Sequence, residues 1–236
     1  EKEAVSVSEN RMNTEQMNRI YRRIEESDKL LIGIGGEWKQ NPDKKQIEHI
    51  IARPEVAKGY EALYQLIKEK DYFIVTTVTD GLIWEQPFEK SRIVAPCGNI
   101  TWKQCEHGCT KDIWEDGEIP DGKCPHCGGL LVPNTVENGH YIEEGYLPQW
   151  KEYTEWLART LNKKLTVLEL GEGFSTPTVI RWPFEKTVFF NKQAWFYRIH
   201  QEFFQISEEL NEKAEGIKED SVSFVCRLAE CGRKEA

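Results

Sequence analysis

Four cysteines in one short segment, Cys105, Cys109, Cys124 and Cys127, follow the pattern Cys-x3-Cys-x14-Cys-x2-Cys, two close pairs joined by a loop. Each close pair can fold two thiolates around one side of a tetrahedron. Gly108, Gly128 and Gly129 supply turns that aim backbone amides at the sulfurs. The chemistry this predicts is one zinc ion held by four sulfurs. Four thiolates leave no place for water, so the site is expected to be structural. His107 and His126 lie inside the two pairs and read as solvated loop histidines, the alternative being that each replaces a neighbouring sulfur. Cys97, in Pro96-Cys97-Gly98-Asn99, reads either as a nucleophile or as a plain buried thiol, with no activating base visible beside it. Cys226 and Cys231 fall in a final helical stretch, SVSFVCRLAEC, as core and surface thiols.

The glycines gather where apolar runs end. KLLIGI at 29–34 contains Gly33 and opens into Gly35 and Gly36, and LTVLEL at 165–170 opens into Gly171-Glu172-Gly173. Buried parallel strands end in this way, and an open α/β sheet binds its ligand at those ends. Gly33, Gly35, Gly36, Gly171 and Gly173 therefore have two readings, nucleotide contact or the simple close of a strand. Asp80, after the run YFIVTTV at 72–78, either touches a cofactor or caps the next turn.

The elements that must position these residues alternate. TEQMNRIYRRIEES at 14–27 carries Met17, Ile20, Tyr21 and Ile24 at helical spacing, and Val56, Tyr60, Leu63, Tyr64 and Ile67 repeat that spacing after Pro54, which suits a first helical turn. Trp150, Tyr153, Trp156, Leu157 and Leu161 form a third helical face. Runs at 29–34, 72–78, 165–170 and 187–190 (TVFF, closing at Asn191) predict four strands. This alternation predicts an α/β fold, a Rossmann-like doubly wound parallel sheet with a small zinc-binding module inserted. The large domain covers 1–96 and 136–236. The module covers 97–135, where Gly and Pro punctuation replaces periodicity and no separate hydrophobic core is legible. The Trp195-Phe196-Tyr197 cluster reads as core packing.

Composition sets bounds on partners. Forty acidic against thirty-one basic residues give a net charge of −9, which opposes the phosphate attraction that drives nucleic-acid binding. No apolar stretch is long enough to span a bilayer, and the opening EKEAVSVSEN lacks the layout of a signal peptide. A start at Glu1 in place of Met reads as a trimmed chain. An odd count of seven cysteines, four of them at metal spacing, fits a reducing compartment. The expectation is a soluble cytoplasmic protein with no nucleic-acid or membrane partner.

Four segments in order, LLIGIGG at 30–36, VTTVTDGL at 75–82, the cysteine pairs, and LELGEGFSTPTVIRWPF at 168–184, give the chain a resemblance to the sirtuin family, closest to its macrodomain-linked bacterial class. The resemblance implies a Rossmann-like large domain and a zinc-bearing small one. It also implies NAD cleaved at nicotinamide, to deacylate lysine or to transfer ADP-ribose to a protein. It assigns cofactor contact to Thr77, Asp80, Asn99 and Asn191 beside the glycines. Four positions depart from the family pattern. Glu37 follows the first glycine turn where the family has Ser, a carboxylate where a pyrophosphate would approach. Val78 replaces an Asn two residues before Asp80. Cys97 stands where the family's general-base His would be, although the macrodomain-linked class also lacks that His and keeps the Gly-Asn seen at Gly98-Asn99. Glu172 adds a second acid near the expected phosphates. The resemblance thus implies ADP-ribosyl transfer ahead of deacylation. The alternative is a non-catalytic binding module that keeps the scaffold and has lost NAD chemistry. Either way the partner is a protein.

Overall fold

The computed structural model of the chain describes residues 13–40 and 54–235. Helix α1, Thr14–Glu25, begins at a reciprocal cap: Asn13 Oδ1 accepts from the Gln16 amide and Gln16 Oε1 accepts from the Asn13 amide. Its buried residues Met17, Ile20 and Ile24 share one face. Strand β1, Lys29–Ile34, is buried throughout. Helix α2, Pro54–Ile67, leads to β2, Tyr72–Thr76, and then to the two-residue β3, Ile93–Val94. Strands β4 (Gly98–Cys105), β5 (Trp114–Glu115) and β6 (Leu131–Thr135) come next, followed by helix α3, Leu147–Ala158. Strand β7, Leu165–Leu170, helix α4, Arg181–Phe190, strands β8 (Ala194–Ile199) and β9 (Ala214–Ile217), and helix α5, Ser221–Glu235, complete the chain.

Six strands form one parallel sheet in the order β3-β2-β1-β7-β8-β9. Counted along the chain within that sheet, the order is 3-2-1-4-5-6, that of a doubly wound dinucleotide-binding sheet, and it reverses between β1 and β7. The two faces bury separate cores. Leu30, Ile32 and Ile34 of β1 pack with residues of α1, α2 and α5, while Leu31 packs with Tyr153 and Trp156 of α3 and Phe184 and Val188 of α4. Gly33 belongs to this second face. A Cβ there would lie 2.7 Å from both Ile180 and Phe184, so the residue's smallness lets α4 approach the sheet.

Residues 98–135 carry a separate antiparallel sheet of order β5-β4-β6, inserted between β3 and α3. Its buried interior is polar. Asn134 Nδ2 donates to Gln104 Oε1 at 2.6 Å and to the Ile142 carbonyl at 2.8 Å, while Gln104 Nε2 donates to the His140 carbonyl at 2.7 Å.

Two expected strands differ. The run Thr187–Phe190 is the end of helix α4, and the strand on that side of the sheet is β8, which contains the Trp195-Phe196-Tyr197 cluster. Local β propensity gives way to packing here. Phe184 and Val188, one helical turn apart, are both buried against the sheet, while Phe189 and Phe190 face outward. Strand β2 stops at Thr76 instead of Val78, because Thr76 Oγ1 accepts the Val78 amide at 3.0 Å and bends the chain out of the ladder. Among the described residues, no helix is long and apolar enough to cross a membrane.

Candidate functional site

The carboxyl edge of the large sheet is closed by bonds that continue the strand ladder past its ends. The Gly35 amide donates to the Leu170 carbonyl at 2.9 Å, Thr77 to Ile34 at 3.0 Å, and Gly171 to Ile199 at 2.8 Å. These bonds set three turns side by side at the point where the strand order reverses, the place where sheets of this order have their ligand crevice. The turn after β1 holds Gly35 and Gly36, the turn after β2 holds Thr77 and Asp80, and the turn after β7 holds Gly171, Glu172 and Gly173.

The glycines of these turns serve different purposes. A Cβ on Gly35 would overlap the backbone and the carboxyl of Glu172, so Gly35 makes room for a protein side chain. Gly36 meets nothing within 4 Å and Gly173 only Phe203 at 3.9 Å, so both keep backbone open to the crevice. Gly171 adopts φ 68, in the left-handed region, and a Cβ there would strike Glu37 and Ser221. Gly33 is buried within β1, against Ile180 and Phe184.

Glu172 occupies the crossover itself. It is 2% exposed, and its Oε2 accepts the Thr77 hydroxyl at 2.6 Å. The neighbouring cation Arg181 donates to the Glu172 backbone carbonyl at 2.7 Å and not to its carboxyl. Burial pushes the Glu172 carboxyl up to about 7, with the charge of Glu169 adding to the rise and the Thr77 bond, Arg181 and Lys39 opposing it. Cys97 is its neighbour across the crevice. The thiol is buried, and burial together with the Glu172 charge pushes it up to about 11 despite a hydrogen bond with Thr176. A thiol so held is neutral at physiological pH and a poor base or nucleophile.

Glu37 differs from expectation. Its carboxylate accepts the Gln201 and Ser221 amides, each at 2.9 Å, the second at the start of α5. It caps a helix and does not face the crevice. His200, within 3.5 Å of Glu37, accepts the Glu202 and Phe203 amides on Nδ1, and burial lowers its pKa. Asp80 is also occupied by backbone: Oδ1 accepts Leu82 at 3.1 Å and Oδ2 accepts Gln40 at 2.9 Å, so it joins the first two turns. Val78 sits in the apolar core. Asn191, expected to contact cofactor, lies at the opposite edge of the sheet. Its amide bonds the Thr160 carbonyl at 2.9 Å, next to the amino ends of β7 and β8, because the strand thought to carry it is a helix end.

Asn99 brings the small sheet to the crevice. The Ile100 amide donates to Thr79 at 2.9 Å, and a Cβ on Gly81 would stand 3.2 Å from Asn99 Oδ1. Asn99 is 1% exposed. Its Oδ1 accepts the Thr101 amide at 3.0 Å, while its Nδ2 has no hydrogen-bond partner among the described residues. A buried amide donor without an acceptor is costly.

The four cysteines converge. Their sulfurs all lie within 4.8 Å of one another, with Cys105–Cys127 and Cys109–Cys124 each at 3.5 Å. A tetrahedron with metal–sulfur bonds of about 2.3 Å separates its sulfurs by about 3.8 Å, so the set is placed to hold a metal ion. The two histidines stand outside it: His126 bonds Asp112 at 2.7 Å, and His107 Nδ1 lies 3.8 Å from the Cys127 sulfur. Sequence reasoning missed the Thr77–Glu172 pair and the parts of Lys39 and Thr176, because no short-range pattern announces a contact across three turns.

No protein-family model matches the chain. It is 22% identical over 190 residues to a protein ADP-ribosyltransferase of Staphylococcus aureus, an alignment covering 72% of this chain and 60% of the relative. It is 26% identical over 143 residues to a probable bifunctional ADP-ribose hydrolase/ADP-ribosyltransferase of Fusarium oxysporum, covering 50% of this chain and 24% of the relative. The chain thus spans less than two thirds of the length of the curated relatives it matches. Among solved structures, a Sir2 protein bound to a propionylated peptide superposes with a TM-score of 0.61 at 14% identity, over 92% of this chain and 99% of that one. A Sir2 homologue in complex with ADP-ribose gives 0.58 at 18%, over 95% and 98%. A Sir2 homologue in complex with NAD gives 0.56 at 16%, over 92% and 94%. The chain has the sirtuin fold.

Proposed function

We propose that the crevice between β1 and β7 binds NAD and that the chain transfers ADP-ribose to a protein side chain, with lysine deacylation slow or absent. The observation that carries the choice of reaction is Cys97, a buried thiol held neutral at the position where the resemblance to sirtuins would put a general base. Crevice and ligand suit each other in three respects. The open backbone of Gly36 and Gly173 leaves room for a diphosphate, the unpaired Asn99 amide offers a donor, and the strand reversal sets the crevice where such sheets take dinucleotides. Bound NAD would supply a labile bond between ribose and nicotinamide. The chain's own part is to orient the ribose near Asn99 and Cys97 and to exclude water from that buried corner. The names of the two curated relatives and the ligands of the Sir2 structures support this reading. Zinc on Cys105, Cys109, Cys124 and Cys127 would stabilise the inserted sheet, whose interior is otherwise polar.

The test pairs two readouts. Nicotinamide release and acceptor mass are followed with an acetyl-lysine peptide and, separately, with candidate protein acceptors from the same cell. Release that accompanies an ADP-ribose mass on a protein, with the peptide left acetylated, is the expected result. Brisk peptide deacetylation would overturn it. A second reading, a scaffold that binds partners without NAD chemistry, is favoured by Glu172 standing in the crevice and Val78 in the core. It predicts no nicotinamide release with any acceptor.

A further inference from the structure

Glu172 is a buried acid at the strand reversal, on the turn after β7. Its carboxyl lies against Gly35 and Thr77, beside the open backbone of Gly36 and Gly173, which is the space a diphosphate would take. As a carboxylate it would stand against phosphate oxygens at close range in a buried setting, a strongly unfavourable contact. As an acid it becomes a donor. Thr77 already donates to Oε2, which leaves Oε1 to carry the proton.

We propose that Glu172 is a ligand-binding residue that works as the neutral acid, donating a hydrogen bond to the diphosphate, so that each binding event requires a proton on this carboxyl. The proposal rests on the reading of the crevice as a dinucleotide site. The groups around Glu172 allow the neutral form. Thr77, from the turn after β2, is an uncharged donor. Lys39, after the first turn, acts on it through space. Cys97, from the segment before β4, is itself neutral. On β7, Glu169 disfavours a second negative charge, and its own charge is taken by Arg198, at 2.6 Å, and by Arg181 of α4, at 3.2 Å. Glu37 is turned toward α5. Among the described residues, Arg181 and Lys39 oppose the neutral form of Glu172 only through space, Arg181 bonding the Glu172 backbone carbonyl and not its carboxyl. The carboxyl's rise to about 7 puts the gate within the physiological range.

Binding of ADP-ribose, which cannot be turned over by loss of nicotinamide, tests this by calorimetry across pH in buffers of different ionisation enthalpy. Wild-type affinity should be flat well below pH 7, then fall toward tenfold per pH unit above it, with proton uptake approaching one per ligand. Glu172→Gln keeps an acceptor for Thr77 and a donor for the ligand. It should bind with no such dependence and no proton uptake, and a thermal melt verifies its fold. Adenosine, lacking the diphosphate, should bind without the dependence. A flat wild-type profile, or the same slope in Glu172→Gln, overturns the gate while leaving the crevice reading intact. Absence of ADP-ribose binding by both proteins at every pH overturns the crevice reading, and the gate with it.

Discussion

On the proposed reading, Cys97 and Glu172 set what the crevice does. Replacing Cys97 by His would not restore deacylation, because the new imidazole would enter a buried slot beside Glu172 and the polar partner is still missing at Val78. A positioned base is worth on the order of 10²–10⁴ in rate, and we expect Cys97→His to recover less than about tenfold in peptide deacetylation. A gain near the full range would show that the base alone was lacking. Glu172 also leaves a mark on stability. Its native pKa of about 7 lies above the ordinary carboxylate value, so between the two the folded state holds a proton that the unfolded state has released. Unfolding free energy then falls as pH rises through that window, and the loss is complete above pH 7. Glu172→Gln should therefore melt several degrees above the wild type at about pH 8 and close to it at about pH 5. Equal melting points at both pH values would mean that the carboxyl is not strained by burial.

At the scale of elements, legibility follows how local the determining force is. Strands β1 and β7 could be read from continuous apolar runs flanked by glycine, and helices α1 and α2 from spacing, because each pattern lies within one stretch of chain. TVFF misled because its own Val188 and Phe184, one helical turn earlier, are committed to the sheet at helical spacing, a tertiary fact. The charge cluster between β7, β8 and α4 was equally hidden. Arg198 grips Glu169 with two bonds, at 2.6 and 3.0 Å, inside the sheet. Arg198→Met should cost about 3–5 kcal/mol in denaturant unfolding, because it takes two bonds from the buried Glu169 and leaves it only Arg181, at 3.2 Å; a cost below about 1 kcal/mol would show that Glu169 is neutral or hydrated. The inserted sheet depends on metal in the same element-wise way. Cys124→Ser or a strong chelator should unfold residues 98–135 and remove about one equivalent of metal, with the large sheet retained by circular dichroism. A fully folded module with four titratable thiols would contradict this.

For the whole molecule, the sheet's order matters more than any single motif. The reversal between β1 and β7 gathers turns that are far apart in sequence, Gly36, Thr77 and Gly173, and the module brings Asn99 to them. The sequence exposed the cysteine set, the glycine turns and the departures at Val78, Cys97 and Glu172. It did not expose that Glu37 caps α5, that Asp80 ties two turns together, or that Asn191 lies at the far edge, since each depends on which loops the topology places side by side. The most direct test of this account is a crystal structure with ADP-ribose. We predict the diphosphate over Gly36 and Gly173 beside Glu172, with the ribose that would carry nicotinamide within hydrogen-bond reach of Asn99 Nδ2. Density at the amino-terminal edge near Asn191, or a crevice left empty at saturating ligand, would contradict it.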